Sequence, residues 1–484
     1  MKILFATSEM APYSKTGGLG DVAGALPDNL AKAGNEVICI SPNYRVVEKG
    51  GFKTLDTGLQ VGCYIGDKPR PGRIFTLDEQ PPAKRYFIAN ESYFDREELY
   101  QTAAGDYPDN SERFVFFSKA LLGAAKAIGF KPDIVHLNDW QTALAAVFLR
   151  TNMRSDTFFS GAKTLLTVHN LGYQGLFWHW DWPMLNLGWE YFHPDDGLEY
   201  YGKINFLKGG IIFADAVNTV SKRYAKEIQT EEYGYGLDGL LRKYSGKLFG
   251  ILNGIDIGEW NPKTDRYIAA NFSAEAISGK AACKADLQKV MGLPVAPDIP
   301  LIGIISRFTE QKGMDLVISG APDLMKMGVQ LAVLGRGEPE HEEEFKKLAK
   351  AYPKSMAVKI EFSTELAHKI EAGCDFFLMP SKYEPCGLNQ MYSLAYGTIP
   401  IVRATGGLDD TVTNFSENTG RGNGVKFRDY LSQAMARAVK KMVTIYKKSK
   451  PMAKLRQNAF ACDFSWERSA KEYLKLYRRI HRCK

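Results

Sequence analysis

The chain has 484 residues, of which 45% are hydrophobic and 24% charged, and carries a formal net charge of +7. That length exceeds one ordinary core and predicts two domains, with the composition of a globular rather than a disordered or fibrous protein. No apolar run reaches the ~20 residues a membrane-spanning helix needs. The seven cysteines (Cys39, Cys63, Cys283, Cys374, Cys386, Cys462 and Cys483) contain no C-x-x-C pair, and the seven histidines no H-E-x-x-H helix. A disulfide framework or a zinc centre is therefore not expected, and a reducing compartment is.

Short apolar runs alternate with helical patterns, the signature of parallel sheets covered on both faces. Lys2–Thr7 reads as a buried strand, too short for a secretory leader, so a cytoplasmic location is expected. Lys15-Thr16-Gly17-Gly18-Leu19-Gly20-Asp21 follows, and Val22, Leu26, Leu30 and Ala33 then form a helical stripe. Free N–H groups at such a helix start favour an anion, and Lys15 points to a phosphate or a sugar oxyanion. A plain strand-to-helix turn is the competing interpretation. Pro27 is expected to kink or interrupt that helix.

Further strands are predicted at Glu36–Ser41, Asp133–Leu137, Lys163–Val168, Ala216–Val220 and Lys247–Leu252. Asp139 and Trp140, just past one of them, pair a carboxylate with an aromatic plate, which suits a sugar; a helix N-cap with a packed Trp140 is the alternative. His169, delivered by Lys163–Val168, is expected to donate a hydrogen bond to a sugar hydroxyl while its other nitrogen is held.

A hinge is predicted near residues 250–262. Beyond it come strands at Pro300–Ser306, Gln330–Leu334, Ala357–Glu361, Asp375–Met379 and Thr398–Val402. Arg307 and Lys312, at the carboxyl end of the first, lie where open α/β sheets bind ligands, and suit a diphosphate. Glu384-Pro385-Cys386-Gly387-Leu388 precedes a helix predicted over Gly387–Tyr396, so Glu384 is placed either to grip sugar hydroxyls or merely to cap the helix. Cys386 reads as a packed small residue rather than a reactive thiol. Thr405-Gly406-Gly407-Leu408-Asp409 echoes Thr16-Gly17-Gly18-Leu19-Gly20, as two similar domains facing a shared cleft would show. From Leu431 to Tyr446 an apolar stripe (Leu431, Met435, Ala438, Val439, Met442, Ile445) opposes Arg437, Lys440 and Lys441, which read as a solvated face rather than a nucleic-acid patch.

These motifs, in this order, resemble those of the bacterial glycogen synthases and plant starch synthases: Lys15-Thr-Gly-Gly-Leu, His136-x-x-Asp139-Trp140, Thr167-Val-His-Asn170, Ser306-Arg-x-x-x-Gln-Lys-Gly313 and Glu384-Pro-Cys-Gly-Leu388. The resemblance implies a GT-B fold: an N-terminal Rossmann-like domain over 1–250, a second over 251–464, a last helix over 465–484 packing back on the first, and an active site in the interdomain cleft. It implies transfer of glucose from ADP-glucose to the non-reducing end of an α-1,4-glucan (glycogen) with retention, needing no metal or other cofactor, and involving neither nucleic acid nor membrane. UDP-glucose or another acceptor, a glucan phosphorylase and an idle glucan-binding protein are the alternatives. By the same resemblance Arg307, Lys312, Glu384 and His169 are catalytic. Lys15, Gly17, Gly18, Asn253, Cys386, Gly387, Leu388, Thr405, Gly406 and Gly407 meet the donor, with Cys386 open to thiol reagents. Asp21, Tyr107, Asp139 and Trp140 border the acceptor. The Glu-x7-Glu pattern of wider retaining enzymes is broken, because Tyr392 stands at the second position.

Overall fold

The computed structural model describes residues 1–102 and 105–482; Cys483 lies outside the described residues. The chain forms two compact units. The first comprises Met1–Val220, Ala225–Gly254 and the chain from Trp466 onward, and the second Ser221–Tyr224 with Ile255–Ser465.

The first unit is built on a nine-stranded sheet. Its strands lie in the order Leu248–Gly250, Ala216–Thr219, Lys163–Val168, Ile134–Asn138, Lys2–Ala6, Glu36–Pro42, Lys84–Ala89, Lys68–Leu77 and Thr54–Ile65. All neighbours are parallel except the last two pairs, which form an antiparallel extension. The central strands are apolar and buried on both faces, Ile134–Asn138 throughout its length, as helical crossovers require. The extension was not expected: Thr54–Ile65 mixes exposed and covered residues around Gly58 and Gly62, and Lys68–Leu77 carries Pro69 and Pro71, a weaker signal than the buried runs.

The helix Gly18–Lys32 runs through Pro27 without a break, which corrects the expected interruption. Pro27 is buried against the core, and Arg85 donates to the Gly24 carbonyl at 3.4 Å in the turn that the proline ring disturbs. The last helix, Trp466–Arg482, packs on Gly18–Lys32 and buries Trp466, Tyr473, Leu474 and Tyr477. Tyr477 closes a hydrogen bond to His136 Nδ1 at 2.7 Å while Thr167 Oγ1 meets Nε2 at 2.7 Å. His136 is thus an internal fastener for that helix.

The second unit carries a six-stranded, wholly parallel sheet in the order Met356–Ile360, Gln330–Gly337, Leu301–Phe308, Phe376–Met379, Ile399–Arg403, Val425–Phe427. Ile302, Ile304, Val333, Phe376 and Ile401 form its core with Met435, Val439 and Met442 of the helix Ser432–Tyr446. Arg437, Lys440 and Lys441 of that helix are solvated as expected, but Leu431 is its exposed N-cap rather than part of the apolar stripe.

Candidate active site

In the second unit, three segments converge at the carboxyl ends of the strands. The strand Leu301–Phe308 delivers Arg307, and a single 3-10 turn, Glu310–Lys312, ends at Gly313. Gly313 has φ +73°, and a Cβ there would lie 2.2 Å from the Pro380 carbonyl oxygen. Only glycine permits that approach, which brings Lys312 beside the loop after Phe376–Met379. Lys312 Nζ reaches Glu384 Oε2 at 2.7 Å, and Ser381 Oγ donates to the same oxygen at 3.2 Å. Glu384 is buried, and among the described residues its Oε1 has no hydrogen-bond partner. Arg307 is exposed and, among the described residues, its guanidinium makes no hydrogen bond or ion pair. Asn389 Nδ2 donates to the Ile305 carbonyl at 2.8 Å, tying the Arg307 strand to the Glu384 segment.

The second glycine turn packs against the Glu384 segment. A Cβ on Gly406 would sit 1.8 Å from the Glu384 carbonyl oxygen, and one on Gly407 2.0 Å from that of Cys386. The Gly407 N–H donates to the Glu384 carbonyl at 3.1 Å. Gly406 and Gly407 therefore carry the Glu384–Cys386 backbone, and Thr405 is buried beneath it. The helix expected from Gly387 starts later, at Asn389, because Gly387 has φ +72° and Leu388 is the N-cap. Cys386 is buried, which corrects its expected exposure to thiol reagents. Tyr392 stacks on Trp260 with ring centroids 3.9 Å apart, and Trp260 stacks on His368, whose Nδ1 lies 2.8 Å from Asp265 Oδ2. A locked aromatic pile thus occupies the position of the second carboxylate.

In the first unit the glycine turn is open: among the described residues no atom lies within 4 Å of a Cβ built on Gly17 or Gly18. Its donors are partly committed, however. Glu9 Oε2 accepts from the Thr16 N–H at 2.7 Å and the Gly17 N–H at 3.0 Å, and Oε1 accepts from Thr16 Oγ1 at 2.6 Å. Tyr100 adds a hydrogen bond to Oε1 at 3.1 Å. The Gly17 N–H is therefore engaged within the turn, and Glu9, given no role from sequence, is the organiser of the turn. Lys15 Nζ pairs with Asp21 Oδ1 at 2.6 Å; both are partly exposed, so the pair is weak and the ammonium can be redirected.

His169 and Asp139 interlock. The Asn138 amide donates through Nδ2 to the Ala6 carbonyl at 2.9 Å, which turns Oδ1 toward His169 Nε2, also at 2.9 Å. Nε2 must then carry the proton, and burial holds the imidazole neutral by pushing its pKa down to about 3. Nδ1 is left with a free lone pair, so this tautomer presents a hydrogen-bond acceptor there rather than the expected donor. Asp139 Oδ1 accepts from the His169 N–H at 2.7 Å, and desolvation lifts the Asp139 carboxyl to about 7. Asp139 is indeed the N-cap of Trp140–Arg150, but its side chain makes no cap bond. Its backbone, at φ 56° and ψ −175°, lies in a region that favours glycine, the kind of strain found at functional sites. Trp140 packs edge-on against Phe114 at 4.9 Å and beside Phe177 and Phe206, and Tyr107 lies under Arg96 and Arg113. Both rings are only partly exposed. Asn253 is buried, and among the described residues its Oδ1 has no hydrogen-bond partner. Among the described residues no group of three or more His, Cys, Asp or Glu is arranged to hold a metal ion, and no helix is long and apolar enough to cross a membrane.

Residues 2–243 match the family described as "Starch synthase catalytic domain", and residues 293–460 match "Glycosyl transferases group 1". A glycogen synthase of Koribacter versatilis is 48% identical, covering 99% of this chain and 98% of its own. One from Thermotoga maritima is 45% identical, covering 99% of each chain. The catalytic domain of starch synthase IV from Arabidopsis thaliana, solved with ADP and acarbose, superposes with a TM-score of 0.90 at 33% identity over 99% of both chains. Sucrose-phosphate synthase from Thermosynechococcus elongatus shares the fold, with a TM-score of 0.61 at 18% identity over 100% of both. The fold is the parallel-sheet GT-B type, and the chain belongs to the glycogen and starch synthase family of glycosyltransferases.

Proposed function

We propose that this glycosyltransferase moves glucose from ADP-glucose to the non-reducing end of an α-1,4-glucan with retention of configuration, and that it needs no metal ion. The observation that carries the proposal is the Lys312–Glu384 pair beside the unpartnered Arg307 at one sheet edge. Two cations suit the donor's diphosphate, and the open Glu384 Oε1 suits hydroxyls of the transferred sugar. The relatives' name, and the ADP named with the Arabidopsis structure, support the choice of substrate. Phe362, 78% exposed just past the strand Met356–Ile360, offers a ring on which a purine would stack.

In this mechanism the bond from the anomeric carbon to the diphosphate oxygen breaks while the acceptor's 4-hydroxyl adds from the same face. Its proton passes to the departing phosphate. Arg307 and Lys312 meet the charge growing on that leaving group, the contribution that lowers such barriers most. In the first unit the neutral His169 offers Nδ1 as a hydrogen-bond acceptor, and Asp139 fixes the His169 backbone. No second carboxylate accompanies Glu384 in its loop, which favours front-side return over double displacement. The test is incorporation of label from ADP-glucose and from UDP-glucose into glycogen, followed by digestion with an exo-acting α-1,4-glucanase. Label transferred from ADP-glucose and released by the digestion supports the proposal; transfer from UDP-glucose alone, or from neither, overturns it.

A further inference from the structure

Arg307 has an in-register neighbour that the sequence motifs did not single out. In the parallel pairing of Leu301–Phe308 with Gln330–Gly337, Arg307 stands opposite Arg336. In-register residues of adjacent strands leave the same face of a sheet, and the strands lie about 4.8 Å apart. Arg336 is flanked by Gly335 and Gly337, where a Cβ would meet the Ser306 and Phe308 carbonyl oxygens at 1.9 Å and 2.3 Å. The close strand approach thus admits no other side chain at this end of Gln330–Gly337, yet it admits an arginine.

Both guanidiniums are exposed and, among the described residues, neither has a partner. The neighbouring carboxylates are engaged elsewhere or idle. Glu338 faces His341 at 2.8 Å, Glu342 accepts from the Gly337 N–H at 3.0 Å, and Glu310 pairs with Lys382 at 2.6 Å. Glu361, one residue past the last register pair of the next strand, makes no ion pair among the described residues. Like charges directly opposite on adjacent strands repel unless an anion lies between them.

We propose that Arg336 is a second guanidinium for the donor's diphosphate, acting beside Arg307; this rests on the donor role proposed above. Its share falls on binding rather than on the bond-breaking step, so Arg336→Ala raises the donor KM and leaves kcat within a few-fold. The experiment measures ADP and AMP affinity by calorimetry for the wild type, Arg336→Ala, Arg336→Lys and Arg437→Ala. The last removes an equal charge from the exposed face of Ser432–Tyr446. Loss of a charge-assisted contact predicts ADP binding weakened roughly 10-fold or more in Arg336→Ala. AMP, lacking the β-phosphate, changes less, the lysine variant falls between, and Arg437→Ala stays at wild type. Equal weakening of ADP and AMP, or ADP affinity within twofold of wild type, overturns the inference while leaving the donor site in place. A wild-type protein that binds neither nucleotide overturns the donor site and the inference together.

Discussion

Replacing Lys312 by Met and Glu384 by Gln, singly and together, isolates the ion pair on which the donor site is built. The charges are 2.7 Å apart, with side-chain exposures of 20% and 7%. At that separation an effective dielectric constant near 20 gives an attraction of about 6 kcal/mol. Glu384 has lost most of its hydration, and that penalty offsets a large part of the attraction. The net coupling expected from a double-mutant cycle is about 1–3 kcal/mol. Urea unfolding of the four proteins measures it: Lys312→Met alone strands a buried carboxylate that keeps the Ser381 hydroxyl as a hydrogen-bond donor, so it costs more than its share of the double variant. Each single change also lowers kcat by ~10²-fold or more if the groups stabilise charge in the transition state. A coupling below about 0.5 kcal/mol, within the usual scatter for independent sites, refutes the pair as an organising contact.

Glu9→Ala frees the Thr16 and Gly17 N–H groups. It should cost about 1–3 kcal/mol by urea unfolding, with Glu9→Gln intermediate. His136 and His169 are both held neutral by burial, their pKa values lowered from 6.5 to about 3. A depressed folded-state pKa gives stability that is full above pH 6.5 and falls as acid protonates the unfolded chain, by about 1.4 kcal/mol per pH unit for each histidine. His136→Gln should remove one of these two contributions, seen as a shallower loss of stability between pH 6 and 4. Asp139 has the opposite sign: its carboxyl, raised to about 7, costs stability above that pH and returns it as the pH falls toward 4. Asp139→Asn should therefore be more stable than wild type at pH 8, with the difference shrinking toward pH 4 on thermal melts, while turnover drops.

The strands and the donor loop were legible in sequence because burial on both faces leaves long apolar runs, and because Arg307, Lys312 and Glu384 sit directly at strand ends. Contacts between segments distant in sequence were not legible. Glu9 looked like an ordinary residue after a strand, since its role depends on a turn that folds back on it from Thr16. The two glycine turns look alike as letters, yet one is open and the other is packed against the Glu384 backbone; only the neighbouring chain distinguishes them. Which nitrogen of His169 carries the proton is not legible in sequence, because the orientation of the Asn138 amide is set by the Ala6 carbonyl, on another strand. Arg336 carried no motif, and only the strand register places it opposite Arg307.

A crystal structure of the protein with ADP tests the central claim most directly. The diphosphate should lie at the carboxyl end of Leu301–Phe308, within hydrogen-bond distance of the Arg307 guanidinium and Lys312 Nζ. ADP ordered elsewhere, with both side chains free of phosphate, would contradict it.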